Sequence, residues 1–281
     1  MLLRYELKSR ANAILCKDIL LVIKFINLYP FLSHHHQCCM AIIMPMLPCG
    51  GPSPINWCEE DYARSSRVAE WWNTITNVSY VIASAGAVRL ALRSSTSGYN
   101  AKKLQVLFCA SLFLTGVFSA YFHATLCWWG QKLDEIFETW TVVCLVYCAL
   151  GATSRAYSFT SAAFHCLLAL AGIVLIPDIF CEVHLAACVG AFIVFMLRCT
   201  ARVSELGGAG PIKRRLCIGI ICGLSGFGAW AIDRIFCDTL RHLSFNPQLH
   251  AFAWHPLTAL ALLTAFDAWL HVDTLLILKR D

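Results

Sequence analysis

LQVLFCASLFLTGVFSAYFHATL occupies residues 104–126 and contains no Asp, Glu, Lys or Arg. A helix of roughly 20 apolar residues crosses the ~30 Å hydrocarbon core of a bilayer, so this stretch predicts a transmembrane helix. Near its end lies His123, a polar side chain that is costly at a membrane edge unless it pairs or binds something. The stretch therefore predicts both a membrane fold and a candidate site at one end of a helix.

Six further apolar stretches have a similar character. The chain is 58% hydrophobic and 14% charged over 281 residues, with a mean hydropathy of +0.64, whereas soluble domains are about half apolar and a quarter charged. We predict an all-α polytopic membrane protein, a seven-transmembrane-helix bundle within residues 51–281. The predicted spans run approximately over residues 73–92, 104–126, 133–153, 160–177, 179–198, 213–233 and 249–270.

Residues 1–50 form a variable N-terminal extension in this interpretation. Its apolar run, about residues 13–32, contains Lys17, Asp18 and Lys24. Such charges favour a weak or interfacial helix, although an extra hydrophobic helix stays open.

Basic residues are distributed unequally between the two ends of the predicted bundle. One end holds the C-terminus and Arg89, Arg93, Lys102, Lys103, Arg155, Arg198, Arg202, Lys213, Arg214, Arg215, Lys279 and Arg280. The other end holds the segment before the first span and Arg64, Arg67, Lys132, Arg234 and Arg241. The positive-inside rule places the richer end in the cytosol and the other in the lumen. We therefore interpret the net charge of +5 as loop bias and expect no nucleic-acid partner.

Three histidines fall at the predicted lumenal end, His123 closing one span and His250 and His255 opening the last. Three neutral imidazoles hold Zn²⁺ well and leave a fourth position for water. A single membrane histidine is more often a packing residue. Three of them at one face, with acids nearby, favour a zinc site.

Ser119 and Asp134 are the candidate catalytic residues. Ser119 lies four residues before His123 on the same helical face, and its hydroxyl could donate to an oxyanion. Asp134 begins the next span at the same end, where it could orient a water or accept its proton. This combination is typical of amide or ester hydrolysis. Asp233 with Arg234 remains open as a helix-end ion pair.

A second constellation precedes the first span. It contains Asn56, Glu59 and Asp61, with Glu70 following. Oxygen-bearing side chains spaced in this way suit Ca²⁺, although the glycine and the spacing of an EF-hand are missing. A solvated acidic segment before a span is the alternative.

The chain resembles the alkaline ceramidases in six segments spread over residues 55–256. Together these segments are specific, whereas any one alone is weak. They are Trp57-Cys58-Glu59-Glu60, Glu70 to Thr74, Ser119 to Leu126, Gln131 to Glu135, Trp230 to Cys237 and Leu249 to His255.

The resemblance implies a seven-helix intramembrane amidase that cleaves ceramides within the bilayer to a sphingoid base and a fatty acid. It implies zinc on His123, His250 and His255, with Ser119 and Asp134 as catalytic residues. It also implies a disulfide between Cys58 and Cys237, which suits the lumenal placement of both residues. The implied calcium ligands are Asn56, the Trp57 carbonyl, Glu59, Asp61 and Glu70.

Two departures from the family pattern stand out. The family has Asp where this chain has Asn56 and Asn where it has Asp61, so the exchange keeps the number of carboxylates and we expect Ca²⁺ binding to survive. The family's last two histidines are four apart, but His250 and His255 are five apart. On a regular helix this spacing turns the second about 140° away from the first. A π-bulge over Ala251-Phe252-Ala253 would restore the alignment, and otherwise His250 would reach in from non-helical backbone.

The alternatives are a heptahelical receptor of the adiponectin-receptor type and an inactive ceramidase-like protein. The acidic segment and Trp230 to Cys237 argue against the receptor. The endoplasmic reticulum or Golgi is the expected location, with the segment before the first span lumenal and the C-terminus cytosolic. Acyl-chain preference, pH optimum and oligomeric state stay open.

Overall fold

The structure is a computed structural model that describes residues 49–94, 98–154, 158–175, 181–205, 207, 210–242 and 248–278. The predicted extension lies outside the described residues except for Cys49 and Gly50. The helices are α1 (Trp71–Thr76), α2 (Val78–Arg93), α3 (Tyr99–Thr125), α4 (Trp128–Ser154), α5 (Phe159–Leu175), α6 (Cys181–Glu205), α7 (Gly210–Ile235), α8 (Cys237–His242), a π-helix (His250–Trp254) and α9 (His255–Leu278).

Long helices occupy all seven positions that the apolar stretches predict. Among the described residues, four segments are long and apolar enough to cross a membrane: Trp71–Arg93, Tyr99–Thr125, Leu185–Glu205 and Ile212–Ile235. Helix α5 is shorter, at 17 residues, α4 carries Asp134, Glu135 and Glu138 near its start, and α9 carries Asp267 and Asp273. The all-helical membrane fold is therefore borne out for the described residues, while the count of seven spans stays a prediction.

The main core lies among α2, α3, α4, α6, α7 and α9. Phe108 of α3 stacks on Phe266 of α9 with ring centroids 4.5 Å apart, and both side chains are fully buried, as is Trp269. A smaller cluster at one end joins Trp57 to Phe122, Trp230 and Trp254. Because aromatic side chains bury large areas, this second cluster fixes the end of the bundle where the site lies.

A non-helical segment, residues 49–70, covers the ends of α3 and α4; we call it the lead-in. Its backbone pairs with the α3–α4 turn through Ser53 N–H to Leu126 O at 2.7 Å and Glu70 N–H to His123 O at 2.9 Å. Disulfides join Cys49 to Cys127 and Cys58 to Cys237. The first ties residue 49 to the compact unit Cys49–Asp281, while the boundary at residue 51 stays a prediction.

Helices α3 and α4 approach closely at Gly130. A Cβ atom there would lie 2.9 Å from Cα of Phe122, too close to be accommodated without a shift. Leu126 makes the turn in the left-handed region with φ 50° and donates its N–H to Phe122 O. This tight turn puts His123, in the last turn of α3, and Asp134, in the second turn of α4, at the same end of the two helices.

Candidate metal centre

The three histidines of the predicted zinc site come together in the structure. Each offers a ring nitrogen, and these three atoms lie within 4.8 Å of one another. The ring centroids are 5.1 Å apart for His123 and His250, 5.2 Å for His123 and His255, and 4.7 Å for His250 and His255. All three side chains are buried. Such convergence of uncharged imidazoles is costly unless their nitrogens have a partner.

The five-residue spacing between His250 and His255 is accommodated by a π-helix, which is one of the two arrangements that the sequence predicts. Residues His250–Trp254 are π-helical, and the N–H of His255 bonds to the carbonyl of His250. A π-turn inserts one residue into a helix, so it rotates His255 back toward His250. Both rings therefore face His123 from the first turn of the same chain segment.

Hydrogen bonds at Nδ1 fix the orientation of the His123 and His255 rings. Nδ1 of His123 bonds to Oε2 of Glu70 at 2.5 Å, and Nδ1 of His255 lies 2.7 Å from Oγ1 of Thr76. The Thr76 hydroxyl donates to the carbonyl of Trp72 at 2.8 Å, so Nδ1 of His255 must carry the hydrogen. The Nε2 atoms of both rings are then left as lone-pair donors.

Two of the inward atoms are unsatisfied. Among the described residues, Nε2 of His255 and Nδ1 of His250 are buried without a hydrogen-bond partner. His250 is held by stacking on Trp57, with centroids 3.7 Å apart. Buried polar atoms in native proteins normally have a partner. Three converging imidazoles with orphaned nitrogens fit a tetrahedral zinc ion with one open position.

Ser119 and Asp134 line a cavity that also reaches His250. Ser119 and Asp134 share a side-chain hydrogen bond. The cavity has about 50 Å³ of space for water-sized groups, which exceeds the roughly 10–15 Å³ that one water needs. Tyr80 and Trp230 complete its walls. Asp134, Ser119 and His250 of the histidine cluster thus border a space that admits a small polar group.

Glu138 is a cavity residue that the sequence analysis did not select. It lies one helical turn after Asp134 on α4 and lines the same cavity, as does Glu135, so three carboxyl groups of α4 border this space. The signal was present, because Asp134 and Glu138 are four residues apart and share a helical face.

The predicted calcium ligands are only partly brought together. Glu59 accepts the backbone N–H groups of Trp72 at 2.6 Å and Asn73 at 2.8 Å. Glu70 accepts the N–H of Trp57 at 2.9 Å with its other oxygen. Both side chains are buried. Burial, opposed by these N–H donors and reinforced by neighbouring carboxylates, raises the pKa of Glu59 to about 7 and that of Glu70 to about 8. The lead-in thus buries two carboxyl groups whose ionisation a bound cation would favour.

The exchanged pair Asn56 and Asp61 are hydrogen-bonded partners. Nδ2 of Asn56 donates to Oδ2 of Asp61 at 2.9 Å. The Trp57 carbonyl accepts a hydrogen bond from Arg241 at 3.1 Å. The donor set suits Ca²⁺ in residue type, but the acidic side chains do not converge as the histidines do among the described residues. The carbonyl oxygen has two lone pairs, so Arg241 occupies one of its two acceptor positions.

Asp233 joins the lead-in to the π-helix. Its two carboxylate oxygens accept the backbone N–H groups of Cys58 at 3.3 Å and His250 at 3.5 Å. The Cys58–Cys237 disulfide lies beside it, and is the pair that the family resemblance implies. Asp233 is almost fully buried. Its carboxylate therefore positions His250 through the backbone.

Three contributors were not anticipated from sequence: Thr76 behind His255, the Trp57 ring against His250, and the Cys49–Cys127 disulfide. Thr76 and Trp57 act through side-chain contacts that residue spacing in the sequence does not predict. Cys127 lies in the α3–α4 turn, directly before α4, and its partner could not be selected from the many cysteines of this chain.

Known proteins resemble this chain over the same region. The ceramidase family model matches residues 51–279. Alkaline ceramidase 3 of Mus musculus is 27% identical over 235 residues, covering 78% of this chain and 81% of the relative. The alkaline ceramidase of Arabidopsis thaliana is 29% identical over 218 residues (72% and 77%), and that of Drosophila melanogaster is 30% identical over 216 residues (73% and 72%). The family match includes the lead-in and all three histidines.

Proposed function

This chain belongs to the ceramidase family, and we propose that it hydrolyses the amide bond of ceramides to give a sphingoid base and a free fatty acid. The observation that carries the proposal is the convergence of three buried histidine nitrogens, with His250 of this cluster sharing a cavity with Ser119 and Asp134. An amide in a membrane needs an activated water and a stabilised oxyanion. The residues around this cavity are of the types that supply both.

His123, His250 and His255 would hold a zinc ion. Glu70 and Thr76 orient two of these rings from behind, as carboxylates and hydroxyls do for histidine ligands of zinc. When bound, zinc supplies a Lewis acid that polarises a carbonyl and makes water nucleophilic at neutral pH.

Asp134 and Ser119 would carry the proton and the oxyanion. Asp134 accepts a proton from the water that attacks the carbonyl carbon, and returns it to the nitrogen as the C–N bond breaks. One water is consumed, its oxygen goes to the fatty acid, and the amine leaves with the proton. Ser119 is placed to donate a hydrogen bond to the carbonyl oxygen as negative charge develops on it.

The size of the cavity indicates how the substrate binds. About 50 Å³ admits the amide and adjacent polar groups of a ceramide, but not its two hydrocarbon chains. The chains would stay in the lipid while the polar portion enters between helices. The aromatic walls formed by Trp57, Trp230 and Trp254 suit a substrate that is apolar on both sides of its amide.

Ca²⁺ would act as a structural ion in the lead-in, with Asn56, the Trp57 carbonyl, Glu59, Asp61 and Glu70 as ligands. We propose that it affects the reaction through Glu70, whose carboxylate bonds both the Trp57 N–H of the lead-in and the His123 ring.

Zinc analysis combined with ceramide hydrolysis tests this function in purified protein. Wild type should hold about one zinc per chain and cleave a ceramide, whereas His123→Ala should lose both. The control is His165→Ala, because His165 is an exposed histidine of α5 that bonds Tyr147 instead. Wild type that holds zinc without cleaving ceramides would favour the inactive alternative, and wild type without zinc would sink the proposal.

We also propose that the histidine end of the bundle is lumenal, in the endoplasmic reticulum or Golgi. The two disulfides at this end suit an oxidising compartment. An impermeant maleimide should label Lys213→Cys after selective permeabilisation of the plasma membrane, but should label Glu60→Cys only after full detergent treatment. The reverse pattern would invert the topology.

A further inference from the structure

A second concave region lies on the outer surface of the bundle, at the start of α3. This groove offers about 470 Å³, within the ~300–1,000 Å³ typical of ligand sites. Its floor is almost wholly apolar and includes Val106, Leu107 and Ala110 of α3 and Phe159 of α5. Val106 is 69% exposed. We call this region the α3–α5 groove.

Two lysines close one end of the groove. Lys102 and Lys103 both line it, and Nζ of Lys103 lies 4.2 Å from the ring centroid of Tyr99 and 5.1 Å from that of Phe159. The aliphatic stems of these lysines can cover apolar surface while the ammonium groups stay at its polar edge. The groove is therefore amphipathic, with carbon along its length and positive charge at one end.

Basic residues collect at this end of the groove, in a part of the chain that lacks acidic residues. Residues 71–133 contain no Asp or Glu. Helix α2 ends with Arg93, and Gln105 donates to Ser94 at 3.4 Å, which places that basic end beside the first turns of α3. No ion pair involves Lys102 or Lys103 in the part of the chain that the structure describes.

The groove is remote from the metal centre. Lys103 and His123 are both on α3, 20 residues apart, which corresponds to ~30 Å along a helix. The groove lies on the surface of a helix that is apolar and long enough to span a membrane. Whatever occupies it meets the protein from the bilayer, at the end opposite the histidines.

From this geometry we propose that the α3–α5 groove binds an anionic phospholipid. Its phosphate and acidic headgroup pair with Lys102 and Lys103, and one acyl chain lies over Val106, Ala110 and Phe159. Basic pockets between membrane helices characteristically recognise acidic lipid headgroups. A neutral lipid would leave both ammonium groups without a counter-charge. The proposal does not depend on ceramide hydrolysis, because it concerns a separate surface.

The test compares phospholipids retained by purified protein in native mass spectra. Wild type reconstituted with equal phosphatidylserine and phosphatidylcholine should retain phosphatidylserine selectively. K102Q/K103Q should lower this selectivity about 5- to 30-fold, since each lysine near an anionic lipid contributes roughly a fivefold preference.

The matched control is K213Q/R214Q, which removes the same charge from two exposed basic residues at the start of α7. This variant should keep the selectivity of wild type. Equal losses of selectivity in the two double variants would show that the overall charge of the protein attracts the lipid. That result would overturn the proposal that the groove binds it. Inorganic phosphate and oleate are competitors that carry only the anion or only the acyl chain. If either displaced phosphatidylserine at the concentration where unlabelled phosphatidylserine does, the proposal of a phospholipid occupant would be overturned.

A second variant tests the apolar part without changing charge. Ala110→Trp should fill the groove and reduce phosphatidylserine retention, whereas Val194→Trp, at a 50% exposed position of α6, should not. Both variants should retain the melting temperature of wild type. Unchanged retention in a folded Ala110→Trp variant would rule out an acyl chain in the groove.

Discussion

Oε2 of Glu70 lies 2.5 Å from Nδ1 of His123. The other oxygen of the same carboxylate accepts the N–H of Trp57 at 2.9 Å, and the backbone N–H of Glu70 bonds to the carbonyl of His123. One residue therefore connects the acidic lead-in to the histidine cluster. Any change in the charge or position of Glu70 must alter the basicity and orientation of the His123 ring.

Glu70→Gln tests this connection. The amide keeps the shape of the side chain but cannot ionise, so it accepts Nδ1–H more weakly than a carboxylate does, and we expect zinc affinity and ceramide hydrolysis to fall about 10- to 100-fold. Glu60→Gln is the control, because Glu60 is an exposed acid of the same segment. Zinc content by elemental analysis and kcat/KM are the measurements. Equal activity in the two variants would contradict a role for Glu70 behind His123.

Thr76 should matter to His255 in the same way. Thr76→Val keeps the volume but removes the hydroxyl that accepts Nδ1–H at 2.7 Å, so the ring is free to turn or change tautomer. We expect zinc affinity to fall about 10- to 100-fold, measured by competition with a chelator. Thr264→Val is the control, since Thr264 is a buried threonine of α9 whose hydroxyl bonds only to its own helix in the contacts of the described residues. Matching losses in both variants would indicate general destabilisation.

The π-helix predicts how a one-residue deletion between His250 and His255 affects zinc binding and activity. Deleting Ala253 would leave His250 and His255 four apart, which aligns them on a regular α-helix. We expect this variant to keep zinc and activity close to wild type, because both spacings present the two rings to His123. Deleting Ala261, which is buried within regular α9, should abolish folding or activity. Loss of zinc on deletion of Ala253 would show that the π-turn itself shapes the site.

The sequence was sufficient for some of these features because local signals carried them. The length of the apolar stretches predicted the helices. The extra residue between His250 and His255 indicated a π-turn. The topology put His123, Asp134 and His250 at one end. Thr76 and the Cys49–Cys127 disulfide were missed, because a threonine in a helix and one cysteine among many carry no distinguishing spacing. Glu138 was missed although it lies four residues after Asp134 and shares its helical face. Their roles depend on which neighbours the packed helices supply.

The acidic lead-in should respond to pH and to Ca²⁺ together. Burial raises the pKa of Glu59 to about 7 and that of Glu70 to about 8, from 4.5. A carboxyl group whose pKa is higher in the folded state binds more protons when folded. Its contribution to stability is full below about pH 4.5 and is lost as the pH rises through the folded value. Chelator-treated protein should therefore melt at a lower temperature at about pH 9 than at about pH 6.

Ca²⁺ should reverse this loss, because it binds the ionised carboxylates and takes the place of their protons. The increase in melting temperature on adding Ca²⁺ should be larger at about pH 9 than at about pH 6, and larger than that produced by Mg²⁺, which adapts poorly to an irregular oxygen site. Glu59→Gln should reduce the increase, while Glu60→Gln should preserve it. An increase that is the same at both pH values, or is unaffected by Glu59→Gln, would mean that Ca²⁺ acts outside the lead-in.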